Sequence, residues 1–166
     1  MRLGGRHLYT WEMGHSESRI RVRYSETDQM GVVYYANYFV WMEVGRVDYC
    51  RERGFEYADM EAGDGILLTV AESRCRYRAP ARFNDQILVR TSVTESRSRT
   101  IRFAYEIRRA SDGTRDGVGD GRLLATGETL HTVCDRDGRA VRLPEKYRCY
   151  FPLTSLDRQA PSQEHR

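Results

Sequence analysis

Alternating apolar and polar positions predict one strand, and helical spacing predicts one long helix after it. Ile20, Val22 and Tyr24 alternate with three arginines, which is typical of a strand with one buried face. From 37 to about 53 the apolar residues recur at three and four positions, as on one face of a helix. Gly54 stands where a glycine commonly ends a helix. The helix stripe predicted to be buried consists of Tyr38, Trp41, Met42, Gly45, Tyr49 and Cys50.

Four further strands are predicted downstream, because alternation resumes in residues 66–78, 87–94, 100–108 and 123–134. The short link 95–99 predicts an antiparallel hairpin. The succession of strands predicts a meander, and one helix on an antiparallel sheet is an α+β architecture. The residues of the fourth strand expected to lie beneath the helix are Ile101, Phe103, Tyr105 and Ile107. We expect the opposite face of the sheet to contact water or another subunit.

A single domain is predicted, because 166 residues can bury one sizeable core and no internal repeat is visible. We expect residues 1–16 to be a flexible arm, 17–153 to be the folded domain, and 154–166 to be a disordered tail. The glycine-rich segment 111–122 is predicted to be an expanded connection between two strands. It lacks the Gly-Lys-Ser/Thr ending of a phosphate-binding loop.

Composition narrows the classes of partner. A net charge of +3 is too small to favour nucleic acid. The chain lacks an apolar run of 18 residues and a signal-peptide core, so we expect no stable membrane anchor and a cytoplasmic location. The four cysteines show neither a CxxC pair nor zinc spacing, which favours free thiols and predicts no metal site. No cofactor is expected.

The junction between the first strand and the long helix, residues 24–38, contains the candidate chemistry. Asp28 precedes a helix N-terminus, where unpaired N–H groups and the helix dipole favour negative charge. A carbonyl group lying between them would be polarised from one side and attacked from the other. The sequence has no G-x-S-x-G or H-E-x-x-H motif, and no histidine falls in this junction. Carboxylates are therefore the candidate catalytic groups.

Two sets of residues in this chain match a known family in register. The first is Tyr24, Thr27, Asp28, Gly31, Val32, Val33, Tyr34, Tyr35, Asn37 and Tyr38, followed by Glu43 and Arg46. The second is Tyr77, Arg78, Pro80, Ala81, Phe83 and Asp85. Together they resemble the hotdog-fold acyl-CoA thioesterases, nearest to the YbgC / 4-hydroxybenzoyl-CoA thioesterase type. The similarity covers about residues 19–147.

The resemblance implies a fold, an assembly and two site residues. The sheet is expected to wrap around the long helix, and dimers to join their sheets edge to edge, with tetramers common. The family's catalytic aspartate corresponds to Asp28, and the residue whose backbone N–H binds the thioester carbonyl corresponds to Tyr35. YbgC-type members often have histidine at the latter position, whereas the hydroxybenzoyl-CoA type has tyrosine. A role for a ring nitrogen is therefore excluded here.

Supporting roles are predicted for other residues of the junction, each with a structural alternative. Gly31 permits a turn with positive φ, which sets the path of the loop. Val33 and Tyr34 are expected to position the loop or line the substrate site. Asn37 either caps the helix or fixes the loop. Asp28 itself has the alternative of a simple turn residue.

Charged residues outside the loop have two interpretations each. Glu43 either has a site role, orienting water or lining the pocket, or forms only a surface ion pair with Arg46, three positions on. Arg74, Arg76 and Arg82 are candidates to bind the phosphates of coenzyme A, because arginine binds phosphate with paired donors. A solvated strand face explains these three arginines equally well.

The chemistry predicted from the loop is hydrolysis of an acyl-CoA to a free acid and CoA. A thiolate, whose parent thiol has a pKa of about 8.5 on the cysteine scale, can leave without a strong general acid. One carboxylate and an oxyanion site are therefore sufficient, with Asp28 acting as nucleophile or as general base. The alternatives are a hotdog hydratase or dehydratase, and a non-catalytic protein that binds acyl thioesters.

Overall fold

A five-stranded antiparallel sheet packs against one long helix. The computed structural model describes residues 14–111 and 120–151. The tail expected at 154–166, most of the arm expected at 1–16 and most of the loop at 111–122 lie outside the described residues. The elements are β1 (Ser16–Arg21), α1 (Asn37–Glu52), α2 (Tyr57–Asp59), β2 (Leu67–Tyr77), β3 (Gln86–Ser96), β4 (Thr100–Arg109), β5 (Leu123–Cys134) and α3 (Glu145–Arg148). A 3₁₀ turn spans Tyr24–Glu26, and a π-helical turn spans Met60–Asp64.

The strand order is β1-β3-β4-β5-β2, which contradicts the predicted meander. Strands β3, β4 and β5 do follow one another, but β2 pairs with β5 at the far edge and not with β3. Alternation within a strand indicates which face is buried but not which strand is its neighbour. The prediction failed for that reason. As a result, β1 and β2 are the two edges of the sheet.

Helix α1 covers the inner face of the sheet, as its apolar stripe predicted. All six residues of the predicted stripe are buried, and Gly54 follows the helix with a φ of +77°. The predicted inner residues of β4 are buried as well. The alternation placed Tyr24 on the buried face of the first strand, and this was wrong. Strand β1 ends at Arg21, and Tyr24 is 77% exposed.

The helix approaches the sheet closely through Gly45. A Cβ placed there would lie 2.4 Å from Thr91 Oγ1 and 2.9 Å from Val89 Cγ1. Both neighbours are β-branched residues of a buried strand and cannot easily move aside. Glycine at position 45 therefore has a steric reason.

Gly45→Ala is expected to destabilise the protein by about 1–3 kcal/mol, although alanine favours a helix by about 1 kcal/mol over glycine. The overlap with Thr91 and Val89 outweighs that preference. Gly63→Ala is the matched control, because a Cβ at Gly63 meets nothing within 4 Å. Urea unfolding measures both variants. Equal stability of Gly45→Ala and the wild type would contradict the close approach.

The outer face of the sheet is covered by ion pairs. Arg102 on β4 lies within 4.0 Å of carboxylate oxygens on three other strands, from Glu72, Glu95 and Glu128. Arg102 thus links four strands by ion pairs on this face within a single chain. Among the described residues no helix is long and apolar enough to cross a membrane.

Candidate active site

Asp28 lies in a tight hairpin that leads into the long helix. Its N–H donates to the Val32 carbonyl oxygen at 2.9 Å, and the Gly31 N–H donates to the Asp28 carbonyl oxygen at 2.9 Å. Gly31 has a φ of +70°, as predicted, so glycine is the residue that fits this turn. The Met30 N–H donates to Asp28 Oδ1 at 2.8 Å. Asp28 is therefore a turn residue, and the same bond fixes its carboxylate in one orientation.

A buried carboxylate, Glu26, holds this hairpin to the body of the protein. It is 3% exposed and accepts hydrogen bonds from the Trp41 indole at 3.0 Å and from the Arg23 N–H at 2.7 Å. Burial alone raises the pKa of Glu26, but these hydrogen bonds and the Arg23 charge outweigh it and lower the pKa below its ordinary value. Glu26 is therefore an anion that fixes the loop against α1.

Asn37 fixes the loop and does not cap the helix. Its side-chain amide donates to the Glu26 carbonyl oxygen at 2.8 Å, and no side-chain hydrogen bond caps α1. The Tyr34 N–H donates to the same oxygen at 2.8 Å. Val33 is buried, and its N–H donates to the Ala81 carbonyl oxygen at 2.9 Å. These bonds join the hairpin to the start of the helix in one unit.

The first turn of the helix presents free N–H groups. It is a 3₁₀ turn, because the Asn37, Tyr38 and Phe39 N–H groups donate to the carbonyl oxygens three residues earlier. Within the part of the chain that the structure describes, neither the Tyr35 nor the Ala36 N–H has an acceptor. The Tyr34 and Tyr35 side chains are exposed. Two donors at a helix N-terminus suit an anion or a developing oxyanion.

The three candidate arginines do not lie together. Arg82, between β2 and β3, contacts the Asp28 hairpin, since its guanidinium Nη1 donates to the Gly31 carbonyl oxygen at 3.4 Å. Arg74 and Arg76 are exposed on edge strand β2. Side chains alternate along a strand, and Tyr77 packs on the helix side against Tyr38, so Arg74 and Arg76 point to the opposite face. The position favours Arg82 as a ligand contact.

Glu43 and Arg46 do not form the surface ion pair that their spacing suggested. Glu43 is exposed, whereas Arg46 turns inward, with its Cζ 5.9 Å from the centroid of the Tyr57 ring. The Arg46 charge acts on the Tyr57 and Tyr105 hydroxyls, and no ion pair joins it to Glu43 among the described residues. That alternative was wrong. Glu43 remains a surface residue of α1.

The sequence interpretation missed two supporting residues, Glu26 and Tyr77. Glu26 lies in the 3₁₀ turn beyond β1, where strand alternation no longer applies, so the alternation gave no signal for its burial. The Tyr77 hydroxyl donates to the Tyr35 carbonyl oxygen at 3.1 Å, from a strand 42 residues away in the chain. No local pattern could have revealed that contact.

A five-stranded antiparallel sheet against one long helix, with a carboxylate in the loop before that helix, is the arrangement expected of the hotdog fold. The chain matches the thioesterase-like superfamily over residues 22–151, most of its length. It therefore belongs to that superfamily, and its fold is the hotdog fold.

Individual relatives agree with this membership. The putative acyl-CoA thioesterase YneP of Bacillus subtilis is 41% identical over 92 residues, which are 55% of this chain and 66% of that protein. The match thus spans slightly less than two thirds of the Bacillus relative. The acyl-CoA thioester hydrolase YbgC of Escherichia coli is 32% identical over 88 residues, which are 53% of this chain and 65% of that protein.

Solved structures resemble the chain over more of its length. A hypothetical protein from Thermus thermophilus is 40% identical, with a TM-score of 0.73 over 82% of this chain and 96% of that one. The DHNA-CoA thioesterase from Staphylococcus aureus is 33% identical, with a TM-score of 0.70 over 83% of this chain and 84% of that one. 4-Hydroxybenzoyl-CoA thioesterase from Pseudomonas is 20% identical, with a TM-score of 0.73 over 82% of this chain and 98% of that one, and shares the fold.

Proposed function

We propose that the protein hydrolyses an acyl-CoA thioester to a free carboxylic acid and CoA. The observation that supports this most is the single hydrogen-bonded unit that contains both the Asp28 carboxylate and the free N–H groups at the start of α1. The names of the YneP and YbgC relatives point to the same substrate class. The reaction needs no metal or cofactor, because a thiolate is a good leaving group.

In this proposal the Tyr35 N–H and the positive end of the helix dipole bind the thioester oxygen as it becomes negative. Asp28 acts in one of two ways. As general base it takes a proton from the water that attacks the carbonyl carbon, and CoA leaves as thiolate. As nucleophile its oxygen attacks that carbon, CoA leaves, and water then cleaves the mixed anhydride.

Label in the protein after a single turnover in ¹⁸O-labelled water is diagnostic of the nucleophilic role. The general-base route places ¹⁸O in every released acid. The nucleophilic route, with water attacking the Asp28 carbonyl carbon, releases an acid that carries an Asp28 oxygen and places the label in the protein. Mass spectrometry of both products distinguishes them.

The supporting roles follow from the contacts. Gly31, Val33, Tyr34 and Asn37 set the position of the loop, and Arg82 is proposed to contact a CoA phosphate from the loop's edge. Arg74 and Arg76 remain candidates for a ligand that reaches the outer side of β2. Glu43, exposed on α1, remains a candidate to line the acyl site.

Thiol release from purified protein with a panel of aliphatic and aromatic acyl-CoAs tests the activity. Release of CoA with at least one acyl group supports hydrolysis. Binding without release would favour an acyl-thioester-binding protein. Addition of water to an enoyl-CoA without thiol release would favour a hydratase.

We propose in addition that the protein is a homodimer or homotetramer. Among the strands that the structure describes, β2 is an edge of the sheet, and Val70 on it is 56% exposed. Val40 and Val44 on α1 are also exposed. Pairing through such an edge satisfies its backbone groups and covers apolar side chains. A monomeric mass by light scattering at micromolar concentration would contradict this proposal.

A further inference from the structure

Tyr77 reaches the first turn of α1 from the end of strand β2. Its hydroxyl donates to the Tyr35 carbonyl oxygen at 3.1 Å, and the Tyr38 N–H donates to the same oxygen at 3.3 Å. That oxygen belongs to the peptide group whose N–H is the N–H of Ala36. The Ala36 N–H has no acceptor among the described residues. Tyr77 therefore acts on the carbonyl end of a peptide whose other end is a free donor.

The Tyr77 ring is held in place by the core. It packs edge-on against Tyr38, with centroids 5.1 Å apart and planes at 85°. Tyr38 is 3% exposed, and its hydroxyl accepts from the Ala81 N–H at 3.2 Å. Partial burial and the neighbouring Cys75 thiol raise the pKa of Tyr77, so its phenol keeps the proton that it donates.

We propose that Tyr77 is a positioning residue of the oxyanion site, and that the Ala36 N–H is a second donor to the thioester oxygen beside the Tyr35 N–H. A hydrogen bond to a carbonyl polarises its peptide group and strengthens the N–H of that group as a donor. The Tyr77 hydroxyl thus orients and strengthens the Ala36 N–H. The inference rests on the proposed hydrolase function.

Tyr77→Phe is expected to lower kcat for acyl-CoA hydrolysis about five-fold and to change KM less than about two-fold. The bond improves a donor that matters most when the oxygen becomes negative. Tyr24→Phe is the matched control, because the Tyr24 hydroxyl is exposed and makes no hydrogen bond among the described residues. Its kinetic constants should equal those of the wild type.

Replacing Ala36 by lactic acid, which puts an ester oxygen in place of its N–H, tests the second donor directly. Proline is unsuitable, because it disfavours a helical turn at the preceding residue and Tyr35 lies in such a turn. The ester should lower kcat about a hundred-fold, with wild-type protein assembled by the same route as the control. Adding Tyr77→Phe to the ester should then cost less than about two-fold, since the N–H that Tyr77 strengthens is gone.

The outcomes are distinct. A wild-type protein that releases no thiol from any acyl-CoA overturns the hydrolase function and this inference with it. An active wild type with a fully active Tyr77→Phe variant overturns the role of Tyr77 alone. Losses that simply multiply in the double variant overturn the coupling to Ala36. Should Tyr77→Phe unfold, fluorotyrosine at position 77 keeps the hydroxyl, and kcat must then rise with the acidity of the phenol.

Discussion

Asp28→Asn is expected to lower kcat for acyl-CoA hydrolysis about a thousand-fold while leaving the fold intact. Asparagine keeps an oxygen that can accept from the Met30 N–H, so the turn at 28–31 is preserved. The amide cannot take a proton from water and is a poor nucleophile. This variant therefore separates the role of Asp28 in the turn from its role in catalysis, because only catalysis needs a carboxylate.

Tyr35→Phe is the matched control for Asp28→Asn. The proposed function uses the backbone N–H of Tyr35, and the substitution keeps that group while removing an exposed hydroxyl. It should lose far less activity than Asp28→Asn. Equal losses would show that the phenol takes part in the reaction. Full activity of Asp28→Asn, with an unchanged unfolding midpoint, would remove Asp28 from the mechanism.

Local patterns predicted the elements of this fold well. Helix α1 was predicted from 37 to about 53 and spans Asn37–Glu52, because its apolar residues recur at helical spacing. The place of β2 beside β5 was not predicted, since it depends on pairing between residues 48 to 67 positions apart. The predicted alternation of buried and exposed side chains in β1 was correct up to Val22. The chain then turns, and Tyr24 is exposed.

The candidate site was predictable only where it is local. Asp28, Gly31 and Asn37 share one short loop, so a single stretch of sequence identified them. The contact of Tyr77 with the Tyr35 carbonyl joins an edge strand to that loop through tertiary structure. For Arg46 a local pattern suggested a contact that does not form. Its spacing from Glu43 suggested a surface ion pair, but tertiary packing turns Arg46 inward. Spacing identifies possible partners, and packing decides between them.

His131 on β5 is a packed residue whose burial has a consequence for stability. It is fully buried, and its Nε2 lies 2.9 Å from Thr129 Oγ1, which in turn lies 2.9 Å from the Tyr105 hydroxyl. Burial, and next the charge of Arg46 on α1, lower the pKa of His131 to about 4. A hydrogen bond to the Leu68 carbonyl oxygen opposes this only in part. The folded protein thus holds a neutral imidazole.

The free energy of unfolding is therefore expected to fall by about 3 kcal/mol as the pH falls from 6.5 to about 4. In that range the unfolded chain binds a proton on His131 and the folded chain does not, so acid favours unfolding. Above pH 6.5 both states are neutral there and this contribution is fully present. Urea unfolding at a series of pH values from 7.5 to 5 measures most of the slope. These pH values also lie above the range in which protonation of Glu26, whose pKa is lowered, reduces the free energy of unfolding.

His131→Gln is the matched control for this pH dependence. Glutamine is neutral at every pH and can still bond to Thr129, although it fills the site less well. The variant should be less stable at pH 7.5, yet its stability should change much less between pH 7.5 and 5 than that of the wild type. The same slope in both proteins would place the titrating group elsewhere. If stability changes with pH in the wild type but not in the variant, the acid sensitivity belongs to His131, which the core keeps neutral beside the partly buried Arg46.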